Sequence, residues 1–163
     1  MSTSTTKTEA TIEAHPTLPI IYITREFRAT PEQIMRAHTD RDLFARWVGP
    51  DYVTTRIDRW DVERGGGYRY VNVHDGQEYG FFGSFHDIGE NRIVQTFTWE
   101  GMPEAVALET LWLEDLGNGI TRLRSQSLCD SIEGRDGMLR SGMEVGVNDG
   151  YAKLDGLLAA GEV

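Results

Sequence analysis

Apolar and polar positions alternate through the middle of the chain, and a helical period replaces that alternation at its end. The run IIYITREF at residues 20–27 is β-branched and aromatic and predicts a strand. The next stretch, ATPEQIMRAHTDRDLFARWVGP, loses the alternation. Thr30 suits a helix cap, Pro31 the first helical position, and Gln33 the return bond of a capping box. Thr39 or Asp40 caps a second short helix, which Gly49 and Pro50 stop. Six strands follow: YVTTRIDRW, YRYVNV, EYGFFGSFHDI, RIVQTFTWEG, AVALETLWLEDL and ITRLRSQSLC. Asp75-Gly76 and Gly117-Asn118-Gly119 are tight hairpin signals between them, so the sheet is antiparallel.

From about residue 131 to residue 160 the apolar positions return at helical spacing. At about 100° per residue, Leu139, Met143, Val147, Tyr151, Leu154, Leu157 and Leu158 share roughly a third of the wheel. Glu144, Asn148, Asp149 and Asp155 lie outside that arc, which makes one long amphipathic helix. The element order predicts an α+β fold: a seven-stranded curved antiparallel sheet wrapped around a long C-terminal helix, with two short helices after the first strand. Residues 1–17 are rich in Ser and Thr and carry no apolar run, which predicts a mobile tail before a single domain at 18–163.

The terminal helix carries Gly142, Gly146 and Gly150, each costing about 0.8–1 kcal/mol relative to alanine inside a helix. Gly146 and Gly150 fall at the edge of the inward arc, and Gly142 lies further round. Two readings stand open. The missing side chains let the helix approach the sheet closely, or they leave open volume above the strands.

Composition narrows the function classes. The 163 residues are 39% hydrophobic and 26% charged, with a net charge of -10. That sign disfavours nucleic acid and anionic membranes as partners. No run is long enough for a membrane-spanning helix, and nothing suggests secretion, so a cytoplasmic protein is expected. The single cysteine, Cys129, excludes an internal disulfide. With Asp130 beside it, it reads as a buried thiol rather than a nucleophile. His15, His38, His74 and His86 are scattered, which gives no metal site, and His38 and His74 read as solvated. Gly65–Gly67 lacks the pattern of a phosphate loop. Neither a catalytic set nor a cofactor is expected.

Strand parity points inward for a different group. Tyr68, Tyr70 and Asn72 share a face, as do Phe97 and Trp99, and Leu111 and Leu113 with Glu109. Leu123 and Ser125 share a face on the last strand. Arg25 shares its face with Ile23 and Phe27. A charge on an inward face is costly unless paired or wet. Arg25 and Glu109 therefore touch each other, water or a ligand, or else sit at the rim in solvent. With Trp47 and the helix residues Met143, Gly146, Val147, Gly150 and Tyr151, these residues form the candidate lining of a cavity between sheet and helix.

The segments ITREFRATPEQIMRAHTDRDLFARWVGP, DVERGGGYRYV, RIVQTFTWEGMPEAVALETLWLEDLGNGITRL and DGMLRSGMEVGVNDGYAKLDGLL, in that order, resemble the Hsp90-ATPase-activator-homologue family of the START/Bet v 1-like superfamily. The likeness spans about residues 20–160, although Thr30 stands where the family commonly has Ala. It implies the helix-grip fold, in which a sheet grips the terminal helix. A shared fold carries no activity by itself. The leading expectation is a protein that binds a small hydrophobic or amphipathic molecule. The alternatives are a chaperone-associated interaction module and a cyclase, aromatase or hydrolase acting in the cavity. Related folds often pair, which leaves a homodimer open.

Overall fold

The computed structural model describes residues 8–163. The chain runs β1 (Thr11–Ala14), β2 (Ile20–Phe27), α1 (Pro31–Thr39), α2 (Arg41–Trp47), β3 (Thr54–Trp60), β4 (Gly67–His74), β5 (Gln77–Ile88), β6 (Arg92–Trp99), β7 (Ala107–Gly117), β8 (Ile120–Leu128), α3 (Ile132–Arg140) and α4 (Met143–Ala159). The strands form one sheet in the order β1-β2-β8-β7-β6-β5-β4-β3, every neighbour antiparallel. Bulges at Ile57/Arg59 in β3 and Phe85/Asp87 in β5 bend that end of the sheet.

The α+β helix-grip architecture holds, with two corrections. The sheet has eight strands rather than seven, because β1 lies inside the stretch read as a mobile tail. Its four residues pair with β2, Ile12 opposite Ile23, and Asn148 Oδ1 on α4 accepts the Ala10 N–H at 3.0 Å. The expected mobility of residues 1–7 lies outside the described residues. The second correction concerns the terminal helix, which is broken in two. Gly142 takes φ +89° and starts α4, while Ser141 closes α3. That left-handed backbone interrupts the helical ladder and suits glycine, which has no Cβ to clash.

The short helices start as the sequence dictates. Thr30 Oγ1 accepts the Gln33 N–H at 3.2 Å, and Gln33 Oε1 accepts the Thr30 N–H at 2.9 Å. Asp40 Oδ1 accepts the Leu43 N–H at 3.0 Å to start α2. Both halves of the box at Thr30 depend on one side chain reaching a backbone donor. Thr30→Ala is therefore expected to lose about 1 kcal/mol in urea denaturation.

The inner face of the sheet and α4 enclose the core. Ile21, Phe27, Ile34, Leu123 and Leu154 are fully buried, and Tyr151 meets Phe27 edge-on with centroids 5.2 Å apart. A second apolar cluster, Ile57, Tyr68, Tyr70, Phe85 and Ile93, sits on the same inner face at the β3–β6 end of the sheet, packed against Met35, Phe44 and Val48. Among the described residues no helix is long and apolar enough to cross a membrane.

Candidate ligand cavity

The first half of α4 lies over β4, β5 and β6, and a cavity of about 230 Å³ remains between them. From the sheet it is lined by Tyr70, Asn72, Phe81 and Phe97. Phe81 stacks on both Tyr70 and Phe97, with centroids 5.2 and 5.4 Å apart. From the helix come Met143, Gly146, Val147 and Tyr151, and Trp47, Val48 and Gly49 close the end of α2. The Trp47 ring is fixed because its Nε1–H donates to the Ala37 carbonyl at 2.9 Å. A larger groove of about 520 Å³ runs between Glu9–Ile12 and the α3–α4 junction, but its walls carry Glu144 and no aromatic ring.

The two glycine readings divide between two residues. A Cβ at Gly150 would stand 3.0 Å from the Trp47 carbonyl oxygen, so the helix backbone approaches α2 closely there. A Cβ at Gly146 would meet Pro50 Cδ at an ordinary 3.5 Å, beside the cavity. Close approach explains Gly150, and open volume explains Gly146.

Beyond Phe97, the next inward row of the sheet is polar. Gln95 stands opposite Glu109 and Glu109 opposite Ser127. The Ser127 hydroxyl donates to Glu109 Oε2 at 2.7 Å. Gln95 Nε2 donates to the Tyr68 hydroxyl at 3.1 Å, and that hydroxyl donates to the Thr96 carbonyl at 2.6 Å. Glu109 retains some accessible surface although protein surrounds it. Burial pushes its carboxyl above the usual range, against the opposing effect of the Ser127 hydrogen bond. Burial, then the neighbouring Glu109 charge, raises the Tyr70 and Tyr151 hydroxyls. Both lining tyrosines are thus within electrostatic reach of this carboxyl.

Several sequence-predicted residues take other places. Arg25 points inward as parity requires, yet its partner is Asp155 rather than Glu109, with Nη2–Oδ2 at 2.6 Å and Nη1–Oδ1 at 3.0 Å. Nη2 also donates to the Thr8 carbonyl at 2.9 Å, and the guanidinium lies 4.6 Å from the Phe27 centroid. Arg25 is only 2% exposed, so it is sealed off from a ligand. Leu123 is likewise sealed in the core. Trp99 has the inward parity, opposite Phe81. It ends β6, however, and its ring covers Gly101, leaving it 42% exposed and outside the lining. Leu111 bridges the two apolar clusters, and Ser125 opposite it is half-buried. His38 is not solvated: it packs on Trp47 with centroids 5.0 Å apart, and burial lowers its pKa. The Cys129 thiol is buried and pushed up, first by burial and then by Glu109 and Asp130.

Phe81, Val48 and Gly49 are the lining residues that parity missed. Phe81 and Phe82 are adjacent and identical, so alternation alone does not choose between them. The pairing of Phe81 with Trp99 and Tyr70 does.

The family model for activator of Hsp90 ATPase homolog 1-like protein matches residues 28–159. Among solved structures, a protein from Rhodobacter sphaeroides is 26% identical, with TM-score 0.82 over 92% of this chain and 98% of that one. A protein from Arthrobacter aurescens is 22% identical, with TM-score 0.83 over 92% of this chain and 91% of that one. DynU16, from the dynemicin biosynthetic locus, is 19% identical, with TM-score 0.64 over 88% of this chain and 48% of its own. No curated protein matches the chain. The match covers most of the sequence and every element from α1 to α4, and the chain belongs to the activator of Hsp90 ATPase homolog 1-like family.

Proposed function

We propose that the protein binds a small apolar or aromatic molecule between its sheet and α4. The observation that carries this reading is the contrast along the space between sheet and helix. Phe27, Leu123 and Leu154 are sealed completely, while a ring-lined cavity of about 230 Å³ persists a few residues away. This cavity opens to solvent, so it offers a small apolar molecule a concave aromatic surface with a way in. The volume lies below the roughly 300–1,000 Å³ of sites for drug-sized ligands, so the occupant is small. The placement of the related fold of DynU16 in a biosynthetic locus is compatible with handling such a molecule.

Thermal melts over a panel of short lipids and small aryl compounds test the reading. A binder present at about 100 times its Kd is expected to stabilise the fold by about 2.7 kcal/mol, and native mass spectrometry should then show a one-to-one complex. A panel without any stabilising member, and protein mass unchanged throughout, would count decisively against it.

A second reading, a protein-docking module, has one observation in its favour. On the outer face Leu108 and Leu128 form a cross-strand pair and are 42% and 37% exposed. Leu108→Asp is the variant that should abolish capture by a purified Hsp90 chaperone if that face docks to it.

A further inference from the structure

One inward row beyond the cavity, on the same face of the sheet, lies a carboxyl group that lacks a countercharge among the described residues. Among the described residues Glu109 makes one hydrogen bond, to Ser127, and no ion pair. Among the described residues its second oxygen, Oε1, has no partner, nor have the hydroxyls of Tyr70 and Tyr151. Arg25 Nε is the one sealed side-chain polar atom without a partner among the described residues. The unpartnered oxygens of Glu109, Tyr70 and Tyr151 are therefore not sealed: each meets open space. Tyr70 and Tyr151 line the cavity, and Glu109 lies one inward row beyond Phe97 on the same face.

Among the described residues nothing basic answers this carboxyl. The titratable groups around it are Tyr68 and Tyr70 on β4, Tyr151 on α4 and Cys129 after β8. Arg25 is held by Asp155, and Arg135 by Asp136 and by the carbonyls of His15 and Leu18. Among the described residues no Lys or Arg lines the cavity. Its walls present aromatic faces, whose quadrupoles attract cations. The whole chain, at net charge -10, adds a field of the same sign.

We propose that the occupant is a small apolar amine that binds as its protonated cation, with the ammonium group at Glu109 and the hydrocarbon or aryl body against Phe81, Phe97 and Tyr151. This rests on the cavity being a ligand site and adds the chemical class of ligand. Burial holds the Glu109 carboxyl up, so in the free protein it keeps its proton to higher pH than an exposed glutamate. An ammonium ion favours the ionised carboxylate. Binding the amine therefore releases that proton, and affinity rises with pH through the raised Glu109 pKa.

Phenethylamine, 2-phenylethanol and phenylacetate share one aryl-ethyl body and differ in charge. Calorimetric titration of each into the wild-type protein and into Glu109→Gln is the test. The amine is expected to bind the wild type about tenfold or more tightly than the alcohol, with phenylacetate weakest, because charge-assisted hydrogen bonds are the stronger ones. Glu109→Gln should erase that preference while leaving alcohol binding within about twofold, and Ser127→Ala should leave the amine preferred. Equal binding of amine and alcohol by the wild type, or a preference that survives in Glu109→Gln, overturns the amine assignment and leaves the cavity reading standing. No binding of any of the three likewise overturns the amine assignment, and only failure of the whole lipid and aryl panel overturns the cavity reading as well. The glutamine variant removes a desolvated acid, so its melting temperature should be no lower than that of the wild type, which separates lost recognition from lost fold.

Discussion

Asp155→Ala is expected to lose about 3–5 kcal/mol of stability, the cost of leaving a buried charge without its partner. The asymmetry of the pair decides which side matters. The Arg25 side chain is 1% accessible, whereas that of Asp155 is 35% accessible. Among the described residues, without Asp155 the guanidinium keeps only the Thr8 and Glu26 carbonyls and the faces of Phe27 and Tyr151, and its Nε is already unpartnered. The reverse change, Arg25→Met, leaves a carboxylate that turns to water, and its thioether packs against the same two rings. It should therefore cost clearly less than Asp155→Ala. Against a typical total of about 5–15 kcal/mol, the aspartate variant loses a large share, visible as a shifted midpoint in urea denaturation. Equal losses in the two variants, or less than about 1 kcal/mol for Asp155→Ala, would show that this ion pair does not hold α4 to β2.

That pair also marks where sequence reading ends. Parity put Arg25 on the inner face because β2 is regular from Ile20 to Phe27, and the same argument correctly turned Tyr68, Tyr70, Glu109 and Phe97 inward. The partner of Arg25 was not legible. Asp155 is 130 residues away and lies off the apolar arc, and its distance along the chain says nothing about which strand it faces. β1 was missed because its four residues, TIEA, carry no alternation strong enough to stand out from a Ser/Thr-rich terminus. Its pairing is supplied by β2. The break at Gly142 was hidden for a related reason. Apolar spacing continues across it from Leu139 to Met143, and only the backbone reveals that one glycine takes a left-handed turn. Local rules of period, cap and hairpin thus fixed the layers and the facing residues. The cavity's extent, by contrast, depends on how closely separate elements approach.

Gly146→Leu is expected to keep the fold and abolish ligand binding, while Gly150→Leu is expected to unfold or strongly destabilise the protein. At Gly146 the first added atom meets Pro50 at an ordinary distance, and the rest of the side chain extends toward the cavity of about 230 Å³. Replacing a helical glycine by leucine also gains several tenths of a kcal/mol in propensity, so the melting temperature should hold or rise. At Gly150 the first added atom already crowds the Trp47 carbonyl oxygen at 3.0 Å. That oxygen belongs to the backbone at the end of α2 and cannot swing aside. Relieving the clash pushes α4 away from α2, at about 1–3 kcal/mol or more for overpacking, and moves Tyr151 off Phe27 and Trp47. Thermal melts on both variants, followed by titration of whichever panel member stabilises the wild type, separate the two positions. If Gly146→Leu still binds that ligand with unchanged affinity, the site lies elsewhere. If Gly150→Leu melts with the wild type, α4 has room to retreat, and the cavity volume is set by helix position rather than by the missing side chains.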